Sequence, residues 1–287
     1  MPTNSKIFRK LEEWKVKEDV DPNFIEFYRR LLRIQSRAKR RIGIPKPGLS
    51  SRTISERMEQ GLPLVGFNDI AFDWSLLQDI FTEVTGAFAT YPELFGEFPQ
   101  SLKEPESRPS LSREMVKAWF EGASLPSLME ADDVSEHLLE AIIHATLNPF
   151  LVSYSKALLG RVNQERWRRG YCPICGGNPD FAFLDKERGA RWLLCSRCDA
   201  EWLFQRLECP YCGTQDQDAL AYFTDDEGLY RLYVCEGCKR YLKTLDLRQA
   251  KSEVLLPLER LFTFDIDAQA QEYGYSPCDR AWARAKR

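Results

Sequence analysis

The chain has 287 residues, 44% hydrophobic and 29% charged, which is ordinary globular usage and excludes a fibre or a wholly disordered chain. A net charge of −3 argues against a dominant nucleic-acid role, and two histidines exclude His-rich metal chemistry. No run reaches the ~18 consecutive apolar residues of a membrane span. Residues Met1 to Lys10 carry no apolar stretch of the secretory type, so the expectation is a cytoplasmic protein with no membrane insertion.

In chain order, helices come first. Phe24, Phe27, Tyr28, Leu31, Leu32 and Ile34 recur at helical spacing behind an Asp21-Pro22 start. Ile44 to Gly48 breaks the pattern, and a short helix is expected over Ser51 to Gln60, stopped by Gly61 and Pro63. Asp73 to about Thr90 carries Trp74, Leu77, Ile80, Phe81, Val84 and Phe88 on one side. Phe98 to Pro109 reads as a linker. Leu111 to Phe120 and Asp132 to about Arg169 follow as helices, the second expected to kink or divide at Pro149. From Tyr171 the pattern changes to short β-type runs between Gly, Pro and Cys turns. Phe181–Leu184 with Arg191–Leu194, and Ala219–Thr224 with Leu229–Val234, read as two hairpins. Leu255 to Gln271 reads as one helix, and Arg280 to Arg287 as a basic tail.

Nine cysteines occur, and eight fall in four C-x2-C pairs: Cys172/Cys175, Cys195/Cys198, Cys209/Cys212 and Cys235/Cys238. The intervals between pairs are 19, 10 and 22 residues. Two intervening residues let one tight turn aim two sulfurs at one ion, and a hairpin brings the next pair back to it. Two such pairs ~15–20 residues apart are the signature of a four-thiolate site. Gly176 and Gly213 follow the second cysteine of their pairs, where positive φ helps the chain turn. Four thiolates set tetrahedrally suit zinc or a rubredoxin-like iron. Sequential pairing, Cys172/175/195/198 and Cys209/212/235/238, follows from the repeated hairpins; a cross-braced pairing stays open. The alternative, reduced core thiols or redox dithiols, fits one pair better than four.

The expected fold is α+β: an N-terminal α-helical bundle over 1–170, a first four-cysteine metal ribbon over 171–206, a second over 207–248, and a C-terminal helix and tail over 249–287. Both ribbons are expected to be β modules of the rubredoxin-like or zinc-ribbon kind.

At these residues the chain resembles the FdhE family of formate dehydrogenase accessory proteins. The resemblance rests on Tyr171-CPICGGNP-Asp180, Leu194-CSRCDAEW-Leu203, Leu207-ECPYCG-Thr214 and Tyr233-VCEGCKRYLKTLDL-Arg248. Phe27-YRRLLRIQ-Ser36 and Leu258-ERLFTFDIDAQAQEYG-Tyr275 add to it. It implies a cytoplasmic, metal-binding accessory protein that is not a subunit of the finished enzyme. Such a protein acts on the catalytic subunit of a molybdopterin formate dehydrogenase and is required for its activity. It also implies two metal ions, rubredoxin-like iron or zinc, on the eight paired cysteines.

Other readings carry less. No G-x-S-x-G, phosphate loop or H-E-x-x-H occurs, which leaves catalysis without a motif. Electron transfer through a four-thiolate iron is the main alternative. A zinc-ribbon nucleic-acid binder is weaker, since Cys172 to Lys243 holds twelve acidic and nine basic residues before the thiolates are counted. Arg29 to Arg41 has seven basic residues and no acidic one; it reads as a solvated helix face before it reads as a docking patch. His137 and His144 read as ordinary helix residues, and Cys278 as a thiol outside the four pairs. Trp202 and Tyr241, each just after a cysteine pair, are candidate partner contacts or ribbon-core packing. A homodimer is left open.

Overall fold

The computed structural model describes residues 4–15, 20–99, 110–125 and 135–278. The Phe98–Pro109 linker, apart from its first two residues, and the 280–287 tail lie outside them. Two compact units emerge: 1–45 with 67–153, and 46–66 with 154–287. Residues 46–66 thus group with the cysteine modules rather than with the helices that flank them in sequence.

The first unit is helical. Helix α1 spans Asn4–Lys15 and α2 Pro22–Ile42. The α2 start is capped as expected, with the Asp21 carboxylate accepting from the Asn23 amide and Pro22 in the first turn, where its missing N–H costs nothing. Helices α4 (Trp74–Ala89) and α6 (Arg113–Glu121) are capped by Asp73 and Ser112; α5 is the single turn Pro92–Phe95. The core is aromatic: Phe27 meets Phe88 and Phe95 at 4.8 and 4.6 Å between ring centroids, and Phe72 meets Phe150 at 5.3 Å. Helix α7 runs Glu136–Leu158 without interruption at Pro149. It is neither divided there nor continued to Arg169. Its residues Ile142, Ile143, Thr146, Leu147, Phe150 and Leu151 are all buried, so packing on every side holds it together past the lost hydrogen bond.

Most of the basic run on α2 is engaged within the unit. Arg29 pairs with Glu12 at 2.5 Å, Arg41 with Asp79 at 3.3 Å, and Arg37 with Glu83. Arg30 donates to Thr90 Oγ1, and Arg33 lies over the Phe8 ring. A helix face occupied by its neighbours accounts for these charges.

In the second unit, α3 (Ser51–Glu59) leads to a segment that grips the first cysteine turn. The Leu64 and Val65 amides donate to the Pro173 and Ile174 carbonyls at 2.9 and 2.8 Å, and the Tyr171 hydroxyl donates to the Gly61 carbonyl.

The remainder is one sheet. Its strands are β1 (Pro179–Leu184), β2 (Arg191–Cys195), β3 (Glu201–Phe204), β4 (Leu220–Thr224), β5 (Tyr230–Cys235) and β6 (Arg240–Asp246). The two expected hairpins are β1–β2 and β4–β5. Each turn opens on an aspartate that accepts a backbone amide, Asp185 from Arg188 and Asp225 from Tyr230. Each also uses a glycine at positive φ, Gly189 at 64° and Gly228 at 68°. The ribbons are not separate, however. Each gains a third strand, and β1 pairs parallel with β6, Phe181 opposite Lys243 through Leu184 opposite Asp246. The sheet order is β3-β2-β1-β6-β5-β4.

The C-terminal helix is broken into α8 (Leu256–Glu259) and α9 (Phe264–Glu272). Between them Arg260 turns inward to Asp180 and Asp199, at 3.2 and 3.0 Å, and donates to the Cys195 carbonyl at 2.9 Å. Three anchors on one guanidinium outweigh another turn of exposed helix.

Candidate metal centres

Each cysteine pair sits on a tight turn. In the first, the Gly176 amide donates to the Cys172 carbonyl at 3.0 Å and the Cys172 amide to the Gly177 carbonyl at 2.9 Å. The third repeats this with Gly213, Cys209 and Thr214, both bonds at 2.9 Å. Gly176 and Gly213 have φ of 73° and 75°, the left-handed backbone expected of them. In the other two turns that position holds Asp199 and Lys239, with φ of 54° and 53°. Neither was singled out by sequence reasoning. The signal was positional, since each follows its second cysteine as the two glycines do.

The turns bring the thiols together in sequential pairing. Cys172, Cys175, Cys195 and Cys198 form one cluster and Cys209, Cys212, Cys235 and Cys238 the other, with all sulfurs of a cluster within 4.8 Å of one another. In the first, Cys172–Cys198, Cys175–Cys195 and Cys175–Cys198 are each 3.5 Å apart; in the second, Cys209–Cys238 and Cys212–Cys235 are 3.7 Å apart. A tetrahedral ion with metal–sulfur bonds of ~2.3 Å needs sulfur–sulfur edges of ~3.8 Å. The donor sets fit zinc or iron in both places, so the clusters could hold two metal ions.

Their surroundings differ. All four first-cluster cysteines are fully buried. The Ile174 and Arg197 amides point at the Cys172 and Cys195 sulfurs at 3.3 Å, the kind of contact that tunes a thiolate centre. Burial pushes the Cys172 and Cys198 thiols well above the ordinary range, so four thiolates there require a cation. Arg197 is buried beside them; burial draws its guanidinium down and the Cys175, Cys195 and Cys198 thiolates oppose that. With Arg260 on the Cys195 carbonyl, two guanidiniums offset the charge of a thiolate-bound divalent ion. In the second cluster Cys209 and Cys235 are buried, Cys238 is half-buried and Cys212 is exposed. Burial raises the Cys209 thiol well above its ordinary range and the Cys238 thiol to about 11.

The other candidates fall elsewhere. Trp202 is fully buried, its indole N–H donating to the Arg169 carbonyl at 2.9 Å. Tyr241 is 4% exposed and donates to Asp267 at 2.7 Å. Both side chains are committed to packing within their modules. His144 stacks on Trp119 and His137 is exposed, as ordinary helix residues do. Cys278 lies outside both clusters.

Residues 171–206, the first knuckle–strand module, match the family model for the central domain of FdhE. The FdhE homolog of Aquifex aeolicus is 29% identical over 243 residues, 81% of this chain and 78% of that one. The chain is similar to FdhE proteins over most of its length. FdhE of Escherichia coli O127:H6 is 25% identical over 187 residues, and the alignment spans 60% of this chain and 59% of that relative. The crystal structure of FdhE from Pseudomonas aeruginosa shares the fold, with a TM-score of 0.53 and 22% identity, covering 86% of this chain and 83% of that one. Among the described residues no helix is long and apolar enough to cross a membrane.

Proposed function

We propose that this chain is a cytoplasmic accessory protein of formate dehydrogenase: it binds the catalytic subunit of that enzyme and is required for its maturation, without catalysis of its own. The observation that carries the reading is the pair of four-thiolate clusters in the family's cysteine pattern, both with the geometry of closed tetrahedral sites. Closed thiolate sites hold structure or store an electron and leave no open position for a substrate. The bound ions, iron or zinc, would staple the turns from which the six strands spring.

The test is a pull-down of a formate dehydrogenase catalytic subunit by the metal-loaded chain, together with formate dehydrogenase activity in cells lacking it. Complex formation and loss of activity are expected. Normal activity without the protein and no complex would overturn the reading.

Exposure of Cys212 favours one alternative, a rubredoxin-like electron carrier. Electron transfer requires a short path from the metal to a partner, and only the second cluster offers one. Reversible one-electron reduction of iron-loaded protein, retained in Cys172→Ser and lost in Cys212→Ser, would support it.

A further inference from the structure

Beside the second cluster lies a concave pocket of about 540 Å³. Its floor is one face of β4, β5 and β6, carrying Leu220, Tyr222, Tyr233 and Leu242; the loop Arg206–Tyr211 forms the opposite wall. The opposite face of the same strands, with Leu232, Val234 and Tyr241, packs on Ala270 of α9. One face is therefore core and the other is open.

Three observations specify what the open face would take. First, apolar surface is exposed at it: Leu207 is 64% and Tyr222 51% exposed. Second, Arg191, Arg206 and Arg240 line the pocket against the single carboxylate of Glu208. Third, two buried donors there have no hydrogen-bond partner, the Arg191 Nε and the Tyr233 hydroxyl, while Arg191 sits 5.7 Å from the centre of the Tyr233 ring. Buried donors are normally satisfied, and here an oxyanion entering the pocket would satisfy them.

The surroundings decide which anion. From Arg206 to Leu242 the chain holds seven acidic and four basic residues, and the thiolates add more negative charge. A polyphosphate strand would be repelled across most of this surface. A single carboxylate flanked by apolar side chains meets the positive spot and avoids the rest. We infer that this pocket docks a peptide segment bearing one carboxylate between apolar residues. Building on the reading above, the segment belongs to the catalytic subunit. Because Cys209 and Cys235 form part of the wall, the segment would lie against two ligands of the second metal.

The experiment uses the full, metal-loaded chain and two probes. One is the synthetic peptide acetyl-Leu-Glu-Leu-Phe-amide, with its Glu→Gln and Glu→Lys analogues, followed by backbone amide shifts. The expected result is shifts centred on Leu207, Tyr222 and Tyr233, at least tenfold weaker binding for the Gln and Lys analogues, and a similar loss in Arg206→Glu and Tyr233→Phe. Two metals per chain in these variants would show that they are folded. No shifts at millimolar peptide, shifts elsewhere, or tighter binding of oligothymidylate would overturn the proposal. The second probe is the catalytic subunit itself. Equal binding by wild type and Arg206→Glu would remove it from this pocket while leaving the accessory reading intact. Peptide binding without subunit binding would keep the pocket and sink the accessory reading.

Discussion

Asp199 and Lys239 occupy equivalent places, each in left-handed backbone directly after the second cysteine of its turn. Elsewhere in the repeat that place belongs to glycine. The two are not equally replaceable. Asp199 accepts from the Arg260 guanidinium at 3.0 Å, whereas Lys239 pairs only with exposed Glu236 on its own turn and lies over the Tyr275 ring.

Lys239→Gly should therefore stabilise the second module by up to ~1 kcal/mol, the cost of a side chain in the left-handed region. Asp199→Gly should give no net gain, because it releases the same strain and breaks the bond to Arg260. Thermal unfolding of the two metal-loaded variants would separate these outcomes.

Metal loss should be stepwise. With Cys212 exposed and the first cluster fully buried, a chelator should draw the second metal first and the first metal at least tenfold more slowly. Native mass spectrometry should pass through a one-metal species. In that species hydrogen exchange should rise in β4 and β5 before β1 and β2, since ligation supplies much of the folding energy of such modules. Simultaneous loss of both ions would contradict this.

Gly170 packs where no side chain fits. A Cβ there would lie 1.9 Å from the Pro210 carbonyl oxygen. Gly170→Ala must push the third cysteine turn away from the chain leading into the first, at a cost of about 2 kcal/mol. Gly213→Ala meets no neighbour but holds φ of 75°, so it should cost only about 1 kcal/mol. Comparing the two distinguishes crowding from backbone strain.

Asp246 is fully buried, with Arg248 and Arg231 each at 2.7 Å. The hydrogen bond from Arg248 holds its carboxyl below the usual range, with the Arg231 charge assisting. A depressed carboxyl stabilises the fold above its unfolded value of ~3.9 and loses that contribution as pH falls through the folded value. Asp246→Asn should thus be less stable by about 2 kcal/mol near neutrality, Arg248 being partly exposed. The gap should narrow below about pH 4. Acid titration of both proteins checks this, since proton competition for the thiolates is common to the two.

What was legible in the sequence was local. Two residues between cysteines, an aspartate and a glycine in a hairpin turn, and Asp21, Asp73 or Ser112 ahead of an apolar period each act within a few positions. The third strands were missed for different reasons. β3 is four residues long, too short for alternation to register. β6 is buried along nearly its whole length, so it shows no alternation, and it hides charged Lys243 and Asp246. The Lys243 ammonium reaches Asp267 at 2.5 Å and the Arg260 and Thr263 carbonyls, partners supplied by α9 and the turn before it, some twenty residues on. The parallel pairing of β1 with β6 joins residues about sixty apart, and nothing in either strand alone announces it.

That pairing joins the last strand of one repeat to the first strand of the other. Two copies joined head to tail cannot be interchanged, as copies related by a twofold axis could. The first strand of one copy, β1, is locked in mid-sheet with Phe181 fully buried; its counterpart β4 is left at the rim with Phe223 57% exposed. Drift in sequence is therefore filtered unequally. Among the first strands, β1 must answer to packing on both flanks, while β4 at the rim is free to change its side chains to suit whatever it meets. A chimera with the two cysteine modules exchanged in order would place an exposed-type strand at the centre and an interior-type strand in water. It would be expected to aggregate even with all eight thiols correctly paired.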